Sequence, residues 1–441
     1  MNITSAMNQK LNEALLPLAQ GVRTRRDATL PNVPNKIHAV IGMRRAGKTT
    51  YLRQLQAALR ATLPPEQALY LSFDDERVAD ADALQLGALV EEHYRRYPEL
   101  RGKRTVHWFL DEIQLVPGWE RFVRRLVDTE NVTVVVSGSS SKMLSREVHT
   151  SLRGRGMETV IAPFGFREFL RHRGAEPSTD PRTWSLAQRS KIEKHFADYL
   201  VVGGFPEVQG LAAPLRMELL QGYVDTVLFR DVVERYGLTQ VSALRWVVRH
   251  CLRNPAGSFS VHRLFTDLRA QGHNIGKEAV TAMIAHLEDA FLIAAVPIAT
   301  DSERQKNSNP RKVYPADPGL IHAFDVSARA NTGHALETAV YNELSRRRAS
   351  VAYVKTAEGY EVDFLAHHAG KQRELIQVCT DMGEAETDER EWRALQQARK
   401  VYPRVPALVL TQNHDAMEQQ ANKGTRIAAA YEWMLSEAQS V

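Results

Sequence analysis

Apolar positions in the first third of the chain fall into short, mostly apolar runs, separated by stretches with helical spacing. His38–Ile41, Ala68–Phe73, Val106–Leu110, Val132–Val136 and Glu158–Ile161 read as strands, and Leu52, Leu55 and Leu59 recur on one face of an intervening helix. Strands alternating with helices predict a parallel α/β sheet over residues 36–165. Ahead of it, residues 1–35 combine an amphipathic helix marked by Leu11, Leu15, Leu16 and Leu18 with a basic connector, Arg23-Thr-Arg-Arg26. Pro31 and Pro34 punctuate the entry to the first strand.

Beyond 165 the pattern changes. Residues 166–240 read as helical, from Phe166–Leu170 through Ile192–Leu200 to Met217–Tyr236, with a sharp break at Val201-Val-Gly-Gly-Phe-Pro206. Over 241–330, helices at Val261–Gln271 and Lys277–Asp289 are joined by a short turn containing Gly272. Strands at Phe291–Val296 and Lys312–Tyr314 then flank a polar loop, an order that predicts a winged helix–turn–helix. Residues 331–441 begin with a helix, Leu336–Arg348, and continue with strands Val351–Lys355, Glu361–Leu365 and Glu374–Val378. A helix, Glu386–Val401, and a strand, Ala407–Thr411, complete a second, smaller α/β unit.

The chemistry concentrates where the first strand meets its helix. Gly42 to Thr49 read G-M-R-R-A-G-K-T, which fits the phosphate-loop pattern G-x-x-x-x-G-K-[ST]. Gly42 and Gly47 permit backbone geometry that a Cβ would block. The N–H groups of the loop through Ala46 to Thr50 would face phosphate oxygens at a helix N-terminus. Lys48 would reach the terminal phosphates, and the Thr49 hydroxyl would bind Mg²⁺. The run Thr105–Glu112 is mostly apolar and ends in two carboxylates. Asp111 would hold Mg²⁺ through water, and Glu112 would polarise the attacking water. Ser137 or Ser139, after the Val132–Val136 strand, could touch the γ-phosphate or that water. Arg153 or Arg155 could act in trans on a neighbouring subunit's nucleotide, or could belong to a solvated basic loop. Arg44 and Arg45 could serve as sensors or partner contacts, and Asp74 and Asp75 could lie near the metal or cap a helix.

Composition narrows the class. The 441 residues exceed one core, so two to four domains are expected. The two cysteines, Cys251 and Cys379, are far apart, which excludes a disulfide framework and a cysteine zinc site and fits a cytoplasmic protein. No apolar run approaches a membrane span. The net charge of +5 permits an acidic partner such as nucleic acid without demanding one.

Together these segments resemble the bacterial and archaeal ATPases of the AAA superfamily that carry a C-terminal domain of unknown function. The resemblance rests on G-M-R-R-A-G-K-T (42–49), Y-L-S-F-D-D (70–75), F-L-D-E-I-Q (109–114), S-G-S-S (137–140) and L-R-G-R (152–155). It continues through P-F-G-F-R-E-F (163–169), G-G-F-P-E (203–207), L-F-R-D-V (228–232), K-V-Y-P-A-D-P-G-L (312–320), E-V-D-F-L (361–365) and I-Q-V-C (376–379). It implies a P-loop ATPase core with a parallel sheet (36–165), a helical lid (166–240), a winged helix (241–330) and a restriction-endonuclease-like α/β domain (331–441). ATP and Mg²⁺ as ligands, and a ring, a hexamer, with ATP at subunit junctions, follow from the same likeness.

A nuclease of that fold class needs carboxylates for metal and a lysine near the scissile phosphate. Glu337, Asp363, Gln377 and Cys379 occupy the corresponding places, with an amide where an acid is wanted and a thiol where a lysine is wanted. The expectation is a catalytically degenerate platform. For DNA, Lys277, Thr281 and His286 would lie on the recognition helix, and Arg304, Lys306, Arg311 and Lys312 on a flexible wing touching phosphates. The functions in view are an ATP-driven motor or remodeller of duplex or branched DNA, a nucleotide-controlled switch or scaffold, and an ATP-regulated nuclease.

Overall fold

A computed structural model describes residues 3–17, 24–138, 152, 154–178, 180–308, 310–325, 331–380, 385–413 and 425–436. The chain divides into two compact units, 1–162 and 163–441.

The first unit is built on five parallel strands in the order β2-β3-β4-β1-β5. They are β1 (Ile37–Ile41), β2 (Ala68–Ser72), β3 (Val106–Asp111), β4 (Val132–Ser137) and β5 (Gly156–Val160). The strands are rich in Val, Ile and Leu because helices α2 (Lys48–Arg60), α3 (Ala83–Arg96) and α4 (Trp119–Thr129) leave little of the sheet to water. β4 lies between β1 and β3, so its end separates the phosphate loop from Asp111. The leading helix α1 (Ile3–Leu15) packs on α3 and β2 through Ala6, Met7, Leu11 and Ala14. Its buried face is thus rotated away from the expected one: Leu16 is exposed and Leu18 lies outside the described residues. Ion pairs from Lys10 to Asp75 (2.5 Å) and from Arg77 to Glu13 (2.7 Å) fix the helix. Asp75 also accepts from the Arg77 backbone N–H, so it caps a turn while pairing with Lys10 of α1.

The second unit opens with α5 (Phe166–His172), α6 (Leu186–Val202) and α7 (Ala213–Thr226). Phe166, Phe169, Phe196 and Tyr199 join Phe364, Ile376, Leu408 and Tyr431 in one apolar core, so the segment read as a lid shares its interior with the C-terminal sheet. Three family motifs meet in one knot. The Phe164 N–H donates to Gly204 O (2.7 Å), the Gly204 N–H donates to Asp317 Oδ2 (2.6 Å), and the Gly319 N–H donates to Asp317 Oδ1 (2.9 Å). A Cβ on Gly204 would come within 2.1 Å of Phe164 O, so only glycine fits.

Helices α8 (Val241–Arg253), α9 (Val261–Ala270) and α10 (Lys277–Asp289) accompany a three-stranded antiparallel sheet of order β6-β8-β7 (Ser258–Phe259, Arg311–Pro315, Ile293–Val296). The stretch between β7 and β8, expected as an open loop, contains a short helix, α11 (Glu303–Ser308). After α12 (Pro318–Phe324) and α13 (Thr332–Arg346), a five-stranded sheet runs β13-β12-β11-β10-β9. Its members are β9 (Ser350–Lys355), β10 (Glu361–His367), β11 (Arg373–Cys379), β12 (Ala407–Thr411) and β13 (Thr425–Ala429). β9, β10 and β11 are antiparallel, whereas β11, β12 and β13 are parallel. α14 (Ala385–Val401) connects β11 to β12, and α15 (Ala430–Leu435) follows β13. Both cysteines are buried as free thiols.

Candidate functional site

The phosphate loop joins the buried strand β1 to α2, whose first residue is Lys48. Gly42 has φ +144°, and a Cβ there would lie 2.2 Å from Ile161 O, so the loop can turn at the edge of β5 only without a side chain. Lys48 is buried, and its Nζ donates to Gly42 O (2.9 Å) and Met43 O (3.1 Å) at the mouth of the loop. Thr49 and Thr50 are exposed, as is Arg45, while Arg44 is half-buried close enough to Glu112 to favour its charged form.

Across the strand ends, the Thr49 hydroxyl donates to Asp111 Oδ2 at 2.7 Å. That carboxylate oxygen also accepts from Tyr70 Oη (2.5 Å), and Asp111 Oδ1 accepts from the Ser137 hydroxyl. Ser137 Oγ in turn accepts from the Glu112 N–H at 3.2 Å, so one serine links the paired carboxylates. Glu112 stands at φ +54°, a conformation seldom adopted by residues with side chains and concentrated at functional sites. Burial pushes its carboxyl above the usual range, while Lys48 and a hydrogen bond from Gln114 pull it down. The donor set of hydroxyl and carboxylate oxygens beneath a lysine-bearing loop fits Mg²⁺ with a triphosphate.

Two residues of this site escaped the sequence reading. Tyr70 shares a face with Ser72, whose Cα pairs with that of Asp111, and strand register alone exposes that relation. Arg53 lies over the Tyr70 ring, 3.4 Å from its centroid. Arg26, read as part of a basic connector, is buried and donates to Ala46 O (2.8 Å) and to Ala162 O. Gln54 and Tyr51 hold the same segment through Thr24 O (2.6 Å) and Ala28 O (3.1 Å). Ser139 and Arg153 lie outside the described residues. Arg155 is half-buried and ion-paired with Asp128.

A second polar cluster lies in the second unit, and it corrects one assignment. Lys312, expected on a mobile wing, is buried in β8, and its Nζ pairs with Asp363 (2.9 Å), Glu361 (3.0 Å) and Glu337 (3.1 Å). Enclosed by carboxylates, it cannot reach a phosphate backbone. Burial opposes its charge, but Asp363, Glu337 and Glu361 together outweigh that and raise its pKa. Tyr314 Oη donates to Glu337 at 2.7 Å, and burial beside Asp363 pushes Glu337 up to about 8. The Gln377 amide donates to Asp363 Oδ2 (2.7 Å) and Glu391 (2.5 Å). Glu337, Asp363 and Gln377 therefore do converge, whereas Cys379 is buried in an apolar core. The cation beside these carboxylates comes from β8, as Lys312. Among the described residues, no group of three or more His, Cys, Asp or Glu is placed to hold a metal.

Of the remaining DNA candidates, Lys277, Thr281 and Arg304 are exposed and Arg311 is half-buried. Thr281 donates to Lys277 O at 3.1 Å, and Lys306 pairs with Glu303 at 2.6 Å. His286, expected to face a groove, stacks on Tyr236 instead. Among the described residues, no helix is long and apolar enough to cross a membrane.

Residues 34–170 match the family described as an AAA domain, and residues 193–330 match a domain of unknown function, DUF8612. The chain is 33% identical to the uncharacterized protein MJ1544 of Methanocaldococcus jannaschii over 401 residues, covering 89% of this chain and 86% of that one. It is 28% identical to an uncharacterized protein of Haemophilus influenzae, covering 76% and 80% respectively. Among solved structures it is similar to the Walker-type ATPase PABY2304 of Pyrococcus abyssi, at 14% identity and a TM-score of 0.42, over 72% of this chain and 94% of that chain.

Proposed function

The chain belongs to the same family as MJ1544 and is an AAA-type P-loop ATPase, and from that premise we propose that it uses ATP hydrolysis to move or reshape DNA. The observation that carries the ATPase half is the 2.7 Å bond between Thr49 and Asp111 beneath a loop that holds Lys48.

In this reading Lys48 leaves the loop carbonyls to grip the β- and γ-phosphates, and the N–H groups of Gly47 to Thr50 close around them. Thr49, and Asp111 through water, would hold Mg²⁺, which would withdraw charge from the phosphate oxygens. Glu112 orients the attacking water and takes its proton. Its partial burial makes it a better base than a solvated carboxylate, and the tie through Ser137 keeps it in register with Asp111. Tyr70 holds Asp111 from the β2 side, where it positions the carboxylate.

The DNA half is supported by Lys277 and Arg304, exposed cations on the helical part of the second unit. Assembly into a ring would let Arg155 leave Asp128 and act on a neighbouring subunit's phosphates. Arg153 is the alternative for that role.

Purified protein would be given ATP with no DNA, single strands, duplex and four-way junctions, in parallel with Glu112→Gln. DNA-stimulated turnover with strand or branch movement, both lost in the variant, is the expected result. Slow turnover indifferent to every DNA would instead identify a nucleotide-controlled switch.

A further inference from the structure

Helix α8 carries Arg245, Arg249 and Arg253 four residues apart, which at a rise of 1.5 Å per residue sets them about 6 Å apart along one face. All three are exposed, and among the described residues none is in an ion pair. They border a cleft of about 290 Å³ floored by Val224, Leu228 and Val248. The facing wall is not an ordinary helix: after α7 the backbone winds as a π-helix over Val227–Val233. Such turns are rare and concentrate at functional sites. This one holds the L-F-R-D-V motif, which the ATPase chemistry leaves unexplained.

Aromatic faces are interleaved with these cations. Phe229 is 37% exposed, with the Arg245 guanidinium 5.1 Å from its ring centroid. Trp246 stacks on His250 at 5.1 Å, and both border an adjoining hollow shared with Arg249 and Arg253. Asp225 also lines the cleft.

We propose that this cleft carries the backbone of a single nucleic-acid strand, an inference that rests on reading the chain as a DNA-handling ATPase. Regularly spaced guanidiniums suit successive phosphates, and Phe229 and Trp246 offer faces on which unpaired bases stack without sequence preference. A duplex keeps its bases stacked within itself and has none to offer. Asp225 and Asp325 in the same lining repel phosphates and carboxylates alike, so the choice of a strand over an acidic peptide rests on the aromatic faces, which stack on bases and not on carboxylates.

The test is fluorescence anisotropy of a labelled 20-nucleotide oligothymidylate with the full chain, with duplex DNA and polyglutamate as competitors. Arg245→Ala/Arg249→Ala should weaken single-strand binding tenfold or more, and should flatten the dependence of log K on log salt by about 1.4, two phosphates at about 0.7 each. Trp246→Ala should weaken binding about fivefold or more with the salt slope unchanged, because stacking releases no counterions. Thermal melting checks that each variant is folded, and Lys103→Ala/Arg104→Ala, at two exposed cations of the first unit, serves as a basic surface control that should keep wild-type single-strand affinity. If the arginine variant binds as tightly as wild type while wild type does bind DNA, the cleft is not the path and the DNA reading survives. If wild type binds no nucleic acid even at low salt, both readings fall. Polyglutamate competing as well as the oligonucleotide would overturn the proposal in favour of an acidic protein partner.

Discussion

Lys312 Nζ stands 2.9 Å from Asp363 Oδ1, although 51 residues separate the two in sequence. The pair ties β8 of the three-stranded sheet to β10 of the five-stranded sheet. Removing one member of a buried ion pair strands the other, which typically costs about 3–5 kcal/mol. Lys312→Met should therefore lower the urea midpoint of the second unit's unfolding clearly. Adding Asp363→Asn to that variant should recover part of the loss, and a midpoint for Lys312→Met equal to wild type would show the ammonium holds nothing together.

Glu337 sets a pH dependence in the same cluster. Its folded pKa, near 8, is above the ordinary value of 4.5, so the folded state binds the proton more tightly than the unfolded chain does. The stability this contributes is fully present below about pH 4.5 and is lost as pH rises to about 8. Urea unfolding between pH 5 and 8.5 should show stability falling across that window from this group, and Glu337→Gln should flatten the fall. An unchanged profile in the variant would refute the assignment.

ATP turnover should report Glu112 in its acidic limb. Burial raises that carboxyl, so the limb of kcat/KM should lie above the range of a solvated glutamate. The hydrogen bond from Gln114 opposes the shift, so Gln114→Leu should move the limb further up in pH. A limb that stays in place would mean that Glu112 is not the group being titrated.

Arg26→Ala removes both donors to Ala46 O and Ala162 O in a buried setting. Each buried carbonyl left without a partner costs about 1–3 kcal/mol. The expected outcome is a lower melting temperature and a roughly tenfold weaker nucleotide affinity, read by equilibrium dialysis of ATP, since about 1.4 kcal/mol corresponds to a factor of ten. Arg26→Lys should rescue only in part, because one ammonium lacks the fork that spans two carbonyls.

The parallel sheet of the first unit was legible because its strands are largely buried and therefore mostly apolar, as in Val134–Val136. The nucleotide motifs were legible because their chemistry demands fixed residues at fixed spacing. β13 and α15 were not, since Thr425–Leu435 is rich in alanine, which sits poorly in strands, and carries no turn signal between its two elements. Lys312 was misread for a different reason. A lysine beside a polar stretch looks solvated, and nothing local reveals that Glu337 and Asp363 will arrive beside it from later segments. Arg26 and Tyr70 share that blindness: each acts through a partner placed by strand order.

The segment 24–28 is fastened to the nucleotide-binding turn and its helix by Gln54, Tyr51 and Arg26. It behaves as a handle welded to that turn. A load applied there, such as a docked protein or a fused tag drawing on the leading helix, is transmitted straight to the cradle of the triphosphate. Conversely, any displacement of that cradle would be felt first at residues 24–28.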